Sequence, residues 1–320
     1  MTIHPSLKLL AGAAVLLLTL AGLPAQADTR PAPATEASLK QLFQVQGASK
    51  LVKETLSLFE AQHAAQVERD TEPGKLEAAR RSHERFAAVL RQRMTWDAVE
   101  PYVVKAYQEH YSEAEVQGLL AYYATEAGRL SAEKLPSAEL RATMALSDVL
   151  EQRLTPVLED VMADRPVKRL PATKWKPANR QEQLAADLSV VLMKERFTAK
   201  LKTMEQQMTE SLATVLWGGK PESKTLESKE KRMAKAIRDN LGFGDVQPVI
   251  VKELSASLSE AELGVLLADA RLPERLAQRK KQGLVQEAAN NALGDWMMKH
   301  LMKDLMQALE AEKPAAPAAE

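Results

Sequence analysis

The 320-residue chain has no cysteine. That absence removes a disulfide scaffold, a thiol nucleophile, a Cys-based metal site and a lipid anchor attached at a processed cysteine. Glycine is scarce, at 13 residues, and no segment alternates apolar with polar residues between turn signals, which disfavours a β architecture. Neither sign of charge dominates, since Lys+Arg and Asp+Glu both total 43. Nucleic-acid binders concentrate positive charge, so no nucleic acid is expected as a partner. Catalytic signatures are missing too: there is no G-x-S-x-G, no H-E-x-x-H and no Gly-rich phosphate loop. A chain that is 27% charged and 45% hydrophobic has the composition of a soluble globular protein, long enough for about two domains.

The one long apolar run, Leu9 to Leu23, follows Lys8 and stops at Pro24, just before Ala25-Gln26-Ala27. A positive start, an apolar middle and an A-x-A site read as a secretory signal over 1–27, cleaved after Ala27. Retention as an anchor is the alternative, but the run is shorter than the ~20 residues a spanning helix needs. The expected location is periplasmic or secreted. Residues 28–36 read as a flexible lead-in and 311–320 as a disordered tail. Residues 164–180 carry Pro166, Pro171 and Pro177, too many for a helix, and read as a basic linker.

The linker separates two halves that match each other, 37–163 and 181–310. VEPYVVK at 99–105 faces VQPVIVK at 246–252, and SEAE occurs at 112–115 and at 259–262, both pairs 147 residues apart. The same offset pairs Leu90 with Ile237, Trp96 with Phe243, Leu154 with Leu301 and Leu158 with Leu305. One register held over some 70 residues indicates an internal duplication.

The periodicity is helical. Val99, Tyr102, Val103, Ala106 and His110 fall on one helix face, and Val116, Leu119, Leu120, Tyr123 and Leu130 form another stripe. Ser112 with Glu115, and Ser259 with Glu262, have the capping-box spacing. The expected fold is therefore all-α: two tandem helical bundles of five or six helices each. In the first, helices are expected near 37–46, 48–66, 75–93, 99–110, 112–129 and 137–163. Pro101 and Pro248 are expected in the first turn of their helices. Pro156 should kink the last helix, and its counterpart in the second copy, with Lys303 at that place, should be straighter.

Three segments resemble the exported bacterial domain-of-unknown-function family 2059. They are LFQVQGASKLV (42–52), the stretch 99–130 with Ser112, Glu115, Tyr122, Tyr123 and Gly128, and Leu135-Pro136. The resemblance implies a helical periplasmic domain present as a tandem duplication, and it supplies no activity. The second copy departs from the pattern, with Asp269, Ala270 and Arg275 at the places of Tyr122, Tyr123 and Gly128.

Few residues invite chemistry. Glu60 and His63 have the Glu-x-x-His spacing of di-iron bundles, but the matching residues in the second half are Gln207 and Glu210, so a solvated helix face is the better reading. Lys and Arg residues around Trp175 fit an anionic-lipid contact less well than a solvated linker with the indole tucked against a domain. The most informative segment is the last helix, GDWMMKHLMKDLMQAL (294–309). Met297, Leu301, Leu305 and Leu309 continue the core stripe. Met298, Met302 and Met306 form a second stripe where the first copy has the polar set Glu151, Thr155 and Glu159. Such an apolar face seeks a partner, which can be the other repeat, a second copy of the chain or a hydrophobic client. A Cu(I) site from Met298, Met302 and His300 is the weaker alternative, because His300 points about 180° away from the two sulfurs in a regular helix.

These readings favour a non-enzymatic periplasmic interaction module that binds a protein or itself. A small-ligand or Cu(I) binder, using the methionine face or Tyr122-Tyr123, ranks second, and an unrecognised envelope hydrolase third. No catalytic residue, metal or cofactor is expected.

Overall fold

A computed structural model describes residues 32–217 and 224–310, with side chains undescribed over 205–228, at 230 and over 308–310. The segments read as signal peptide and C-terminal tail lie outside the described residues, as do the side chains of Gln207, Glu210 and Leu309. The fold is all-α. Among the described residues the only β feature is an isolated bridge between Pro33 and Ser112.

The first half contains α1 (Glu36–Val45), α2 (Ala48–Asp70), α3 (Leu76–Arg93), α4 (Trp96–His110), α5 (Glu113–Tyr123), α6 (Glu126–Glu133) and α7 (Leu135–Met162). The second contains α8 (Arg180–Trp217), α9 (Lys224–Asn240), α10 (Phe243–Ser257), α11 (Glu260–Ala270) and α12 (Pro273–Trp296). A π turn (Met297–Leu301) and α13 (Met302–Glu310) complete it. Local chemistry accounts for most boundaries. Thr35, Thr95 and Thr125 accept the first free N–H groups of α1, α4 and α6. Ser112 with Glu115 and Ser259 with Glu262 close reciprocal capping boxes on α5 and α11. Gly47 turns the chain between α1 and α2 in the left-handed region, φ 65°, where a side chain would strain the backbone.

Several expected boundaries move. The helix expected over 112–129 is two helices, because Thr125 caps a fresh start at Glu126. Pro101 and Pro248 are not in the first turn. Thr95 begins its helix three residues earlier than expected, and Gly242 precedes a helix starting at Phe243, so each proline is the sixth residue. α7 runs on through Pro156 as one helix. Its counterpart, expected to be the straighter, is the one that is interrupted, by the π turn. The lead-in expected over 28–36 is fastened at its end. Ala34 is buried and donates to the Tyr111 carbonyl (3.0 Å), and Glu113 N–H donates to Ala32 (3.0 Å).

The compact units do not follow the two halves. The first unit joins the chain up to Ser137 with Pro273 onward, and the second holds Ala138–Leu272. In the first, α12 packs on α4 and α13 on α3. Val285, Leu293, Trp296, Leu301 and Leu305 enter one core cluster with Leu39, Phe43, Val103, Tyr107 and Val116. In the second, α8 packs against α9, α10 and α11. There α7 buries Ala138, Leu140, Ala142, Leu146, Leu154, Val157 and Val161. It is also tied by Arg196 to Glu139 (3.2 Å) and by Arg141 to Glu253 (3.6 Å). An amphipathic helix must bury its stripe, but the stripe does not say in which bundle.

Candidate functional site

The π turn sits within the first unit, and the spacing of its apolar residues explains it. Leu293, Met297, Leu301 and Leu305 recur every four residues. In an α-helix each such step advances the stripe by about 40°. One under-wound turn restores the phase, so that Leu301 and Leu305 are both buried. π turns of this kind collect at functional sites.

Beside the turn lies an open cleft of about 430 Å³. Its floor comes from the α3–α4 junction, with Gln92, Arg93, Thr95 and Ala98, and its wall from Trp296, Lys299, His300, Lys303 and Asp304. Arg93 pairs with Asp304 at 2.7 Å. Lys299 and Lys303 are exposed and give the cleft a positive surplus. His300 is exposed; its Nε2 lies 3.4 Å from the Tyr102 hydroxyl, and its ring centroid is 6.3 Å from that of Trp296. The Thr95 hydroxyl is committed to capping Ala98 N–H. The lining therefore offers donors and cations suited to holding an anion.

The methionine stripe divides. Met298 is 68% exposed and Met306 43% exposed, whereas Met302 is half-buried and packs against the core cluster. The stripe expected on the surface thus loses its middle member. His300 stays with Tyr102 and Trp296, although the helix is distorted where a Cu(I) trio would need it. Among the described residues no group of three or more His, Asp or Glu side chains is placed to hold a metal.

The residues that carry the family resemblance are structural. Tyr122 and Tyr123, the alternative ligand site, are buried. The Tyr122 hydroxyl lies 3.1 Å from Ser131 Oγ, and Gln46 donates to the Tyr123 hydroxyl at 2.9 Å. Burial raises the pKa of Tyr123 above its ordinary value. Gly128 is required by close approach: a Cβ there would lie 2.0 Å from the Tyr122 carbonyl oxygen. Arg275 stands over the Tyr122 ring at 3.7 Å, and Lys281 pairs with Glu115.

His63 is not on a solvated face. It is buried between α2 and α3, its Nδ1 is 2.8 Å from His83 Nδ1, and its ring lies 5.2 Å from that of Phe86. Burial first, and His83 second, lower its pKa. Glu60, read with it, instead pairs with Arg91 at 3.0 Å. The pairing was hidden in the sequence because His63 and His83 lie 20 residues apart on different helices.

Fold and site together define an all-helical protein with a cation-lined cleft and no recognised catalytic arrangement among its described residues. Within it, residues 97–160 match one copy of a family model described as an uncharacterized protein conserved in bacteria (DUF2059). The match covers α4 to α6 and nearly all of α7. No curated protein and no solved structure matches the chain.

Proposed function

We propose that this is an exported, non-enzymatic interaction protein of the periplasm, formed by tandem duplication of one helical domain whose two copies exchange their last long helices. Helix bounds support the duplication. Trp96–His110 and Phe243–Ser257 are both 15 residues, Glu113–Tyr123 and Glu260–Ala270 are both 11, and each pair starts 147 positions apart. The start of α12 at Pro273 stands at the same offset from the start of α6 at Glu126. The 1–27 segment, with its A-x-A site, supports export.

The observation that carries the interaction role is the exposure of Met298 and Met306 on α13 and its π turn. Thioether side chains adapt to varied apolar surfaces, and exposed apolar groups clustered on one element mark contact surfaces. The test places a photo-crosslinking residue at Met298 in cells and, as a control, at the exposed Lys105. Protein adducts at 298 that Met306→Glu weakens at least threefold support the reading. Adducts no different from those at 105, with a mature chain that is monomeric at all concentrations, refute it. Mass spectrometry of the fractionated chain tests export independently, by whether it starts at Asp28.

A further inference from the structure

We propose that the cleft beside the π turn is a second binding site, which holds a non-helical, acidic, proline-containing peptide segment of a partner protein. The matching place in the second unit already holds a segment of that backbone type. There Asn240 Oδ1 accepts from Leu170 N–H (2.6 Å) and Asp245 Oδ1 from Thr173 N–H (3.0 Å). Arg153 reaches across from α7, donating to the Pro171 carbonyl (3.1 Å) and to the Asn240 carbonyl (2.9 Å). A proline-broken stretch is thus fastened by one cation and two acceptors at the α9–α10 junction.

The 147-residue offset carries those positions onto the cleft. Arg153 corresponds to His300, Asn240 to Arg93, and Asp245 to Ala98. Pro156 corresponds to Lys303 and Gln152 to Lys299, and all five first-unit residues line the cleft. This correspondence rests on the duplication proposed above. The positions correspond in sequence, and the balance of charge at them is reversed. In the second unit the carboxylates Asp239 and Asp245 stand at this junction; Lys235 first, and Arg169 of the proline-broken segment after it, hold the Asp239 carboxyl below its ordinary pKa, and Asp245 accepts from Thr173 N–H. In the first unit those two acids are replaced by Gln92 and Ala98, and Arg93, Lys299 and Lys303 are added against one acid, Asp304.

A donor-rich, cationic cleft selects a ligand rich in acceptors. Glutamate and aspartate side chains supply carboxylates, and prolines supply carbonyls without N–H groups that would go unpaired there. The exposed His300 adds ring surface for a pyrrolidine ring. The rim lysines are exposed, so the attraction is screened by salt.

The experiment titrates the whole chain with a fluorescein-labelled nine-residue peptide of three Ala-Glu-Pro repeats, and with its Ala-Lys-Pro counterpart. Saturable binding of the acidic peptide alone is expected, weakened at least tenfold by Lys299→Glu with Lys303→Glu and unchanged by Lys105→Glu. The affinity should also fall as salt is raised. No saturable binding, equal binding of both peptides, or unchanged affinity in the double variant overturns the proposal. Binding seen only in a chain ending at Glu310 overturns it as well, since the cleft would then belong to the chain's own 311–320. Failure here leaves the matched helix bounds standing. A measured structure with unlike helix successions in the two halves would instead remove the duplication and leave a measured affinity intact.

Discussion

Severing the backbone between Lys174 and Pro177 tests the exchange of last helices directly. A protease site placed there cuts the chain once, between α7 and α8. If each half folded on its own, the pieces would separate on dilution. In the structure each unit needs a helix from the other half. The first unit contains α12 and α13, which bury Val285, Leu293, Trp296, Leu301 and Leu305. The second contains most of α7, which buries Leu140, Leu146, Leu154, Val157 and Val161. At about 1.5–3 kcal/mol for each large apolar side chain, the two exchanged helices together contribute roughly 20 kcal/mol of gross burial, as an upper estimate. That exceeds the roughly 4–15 kcal/mol that association costs in lost freedom. The nicked chain should therefore run as one species in size-exclusion chromatography at micromolar concentration, and as two bands only after denaturation. Leu293→Ala with Leu301→Ala, at roughly 2–5 kcal/mol each, should let the pieces part at accessible concentrations. Wild-type fragments that separate at micromolar concentration without denaturant would refute the exchange.

Two further expectations follow from single residues. Gly128→Ala forces a Cβ to within 2.0 Å of the Tyr122 backbone oxygen, so urea unfolding followed by circular dichroism should show a loss of about 3 kcal/mol or more. Gly118→Ala in α5, where a Cβ meets nothing within 4 Å, should instead stabilise by about 0.5–1 kcal/mol, and equal effects of the two changes would sink the packing argument. Stability should also fall below pH 6.5 through His63. Its pKa is lowered in the fold, so the unfolded chain takes up a proton first. The stabilisation is therefore complete above the ordinary value and is lost as the pH falls through the folded one. Thermal melts of His63→Phe, an aromatic of similar breadth between Phe59 and Phe86, should flatten that decline. An undiminished slope would place the titration elsewhere.

Helix faces and caps were legible in the sequence because they depend on neighbours three and four residues away. Ser112 and Ser259 cap where S-x-x-E stands, and Val99, Val103 and Ala106 are buried as their spacing requires. Choices of partner were not legible. The stripe of α7 specifies an apolar face but not the bundle that buries it. The π turn was equally hidden, although the four-residue spacing of Leu293, Met297, Leu301 and Leu305 carries its cause. It decides where Met302 and His300 point. The cleft depends on it and on a junction about 200 residues earlier, so no local pattern announces the site.

On the proposed duplication, the exchange also gives a physical reason why the second half departs from the first. Arg275 stands at the place of Gly128 in the 147-residue register, but it does not serve its own half. It begins the helix that packs in the first unit, and its guanidinium covers the Tyr122 ring that Gly128 lets approach. Lys281 does the same for Glu115, pairing with the residue that caps α5, and stands 5.1 Å over the Tyr111 ring. Cations over aromatic faces and against a capping carboxylate each contribute modestly, about 0.5–1 kcal/mol at exposed sites. Their common address is what matters. α12 carries side chains fitted to the first unit's tyrosines and cap, while α7, which enters the second unit, carries Arg141 and Arg153 fitted to Glu253 and Asp245. On the duplication proposed above, two last helices that began alike would each have fitted either bundle. Divergence of these contacts makes one pairing fit and the other leave Arg275 without its ring and Arg153 without its carboxylate.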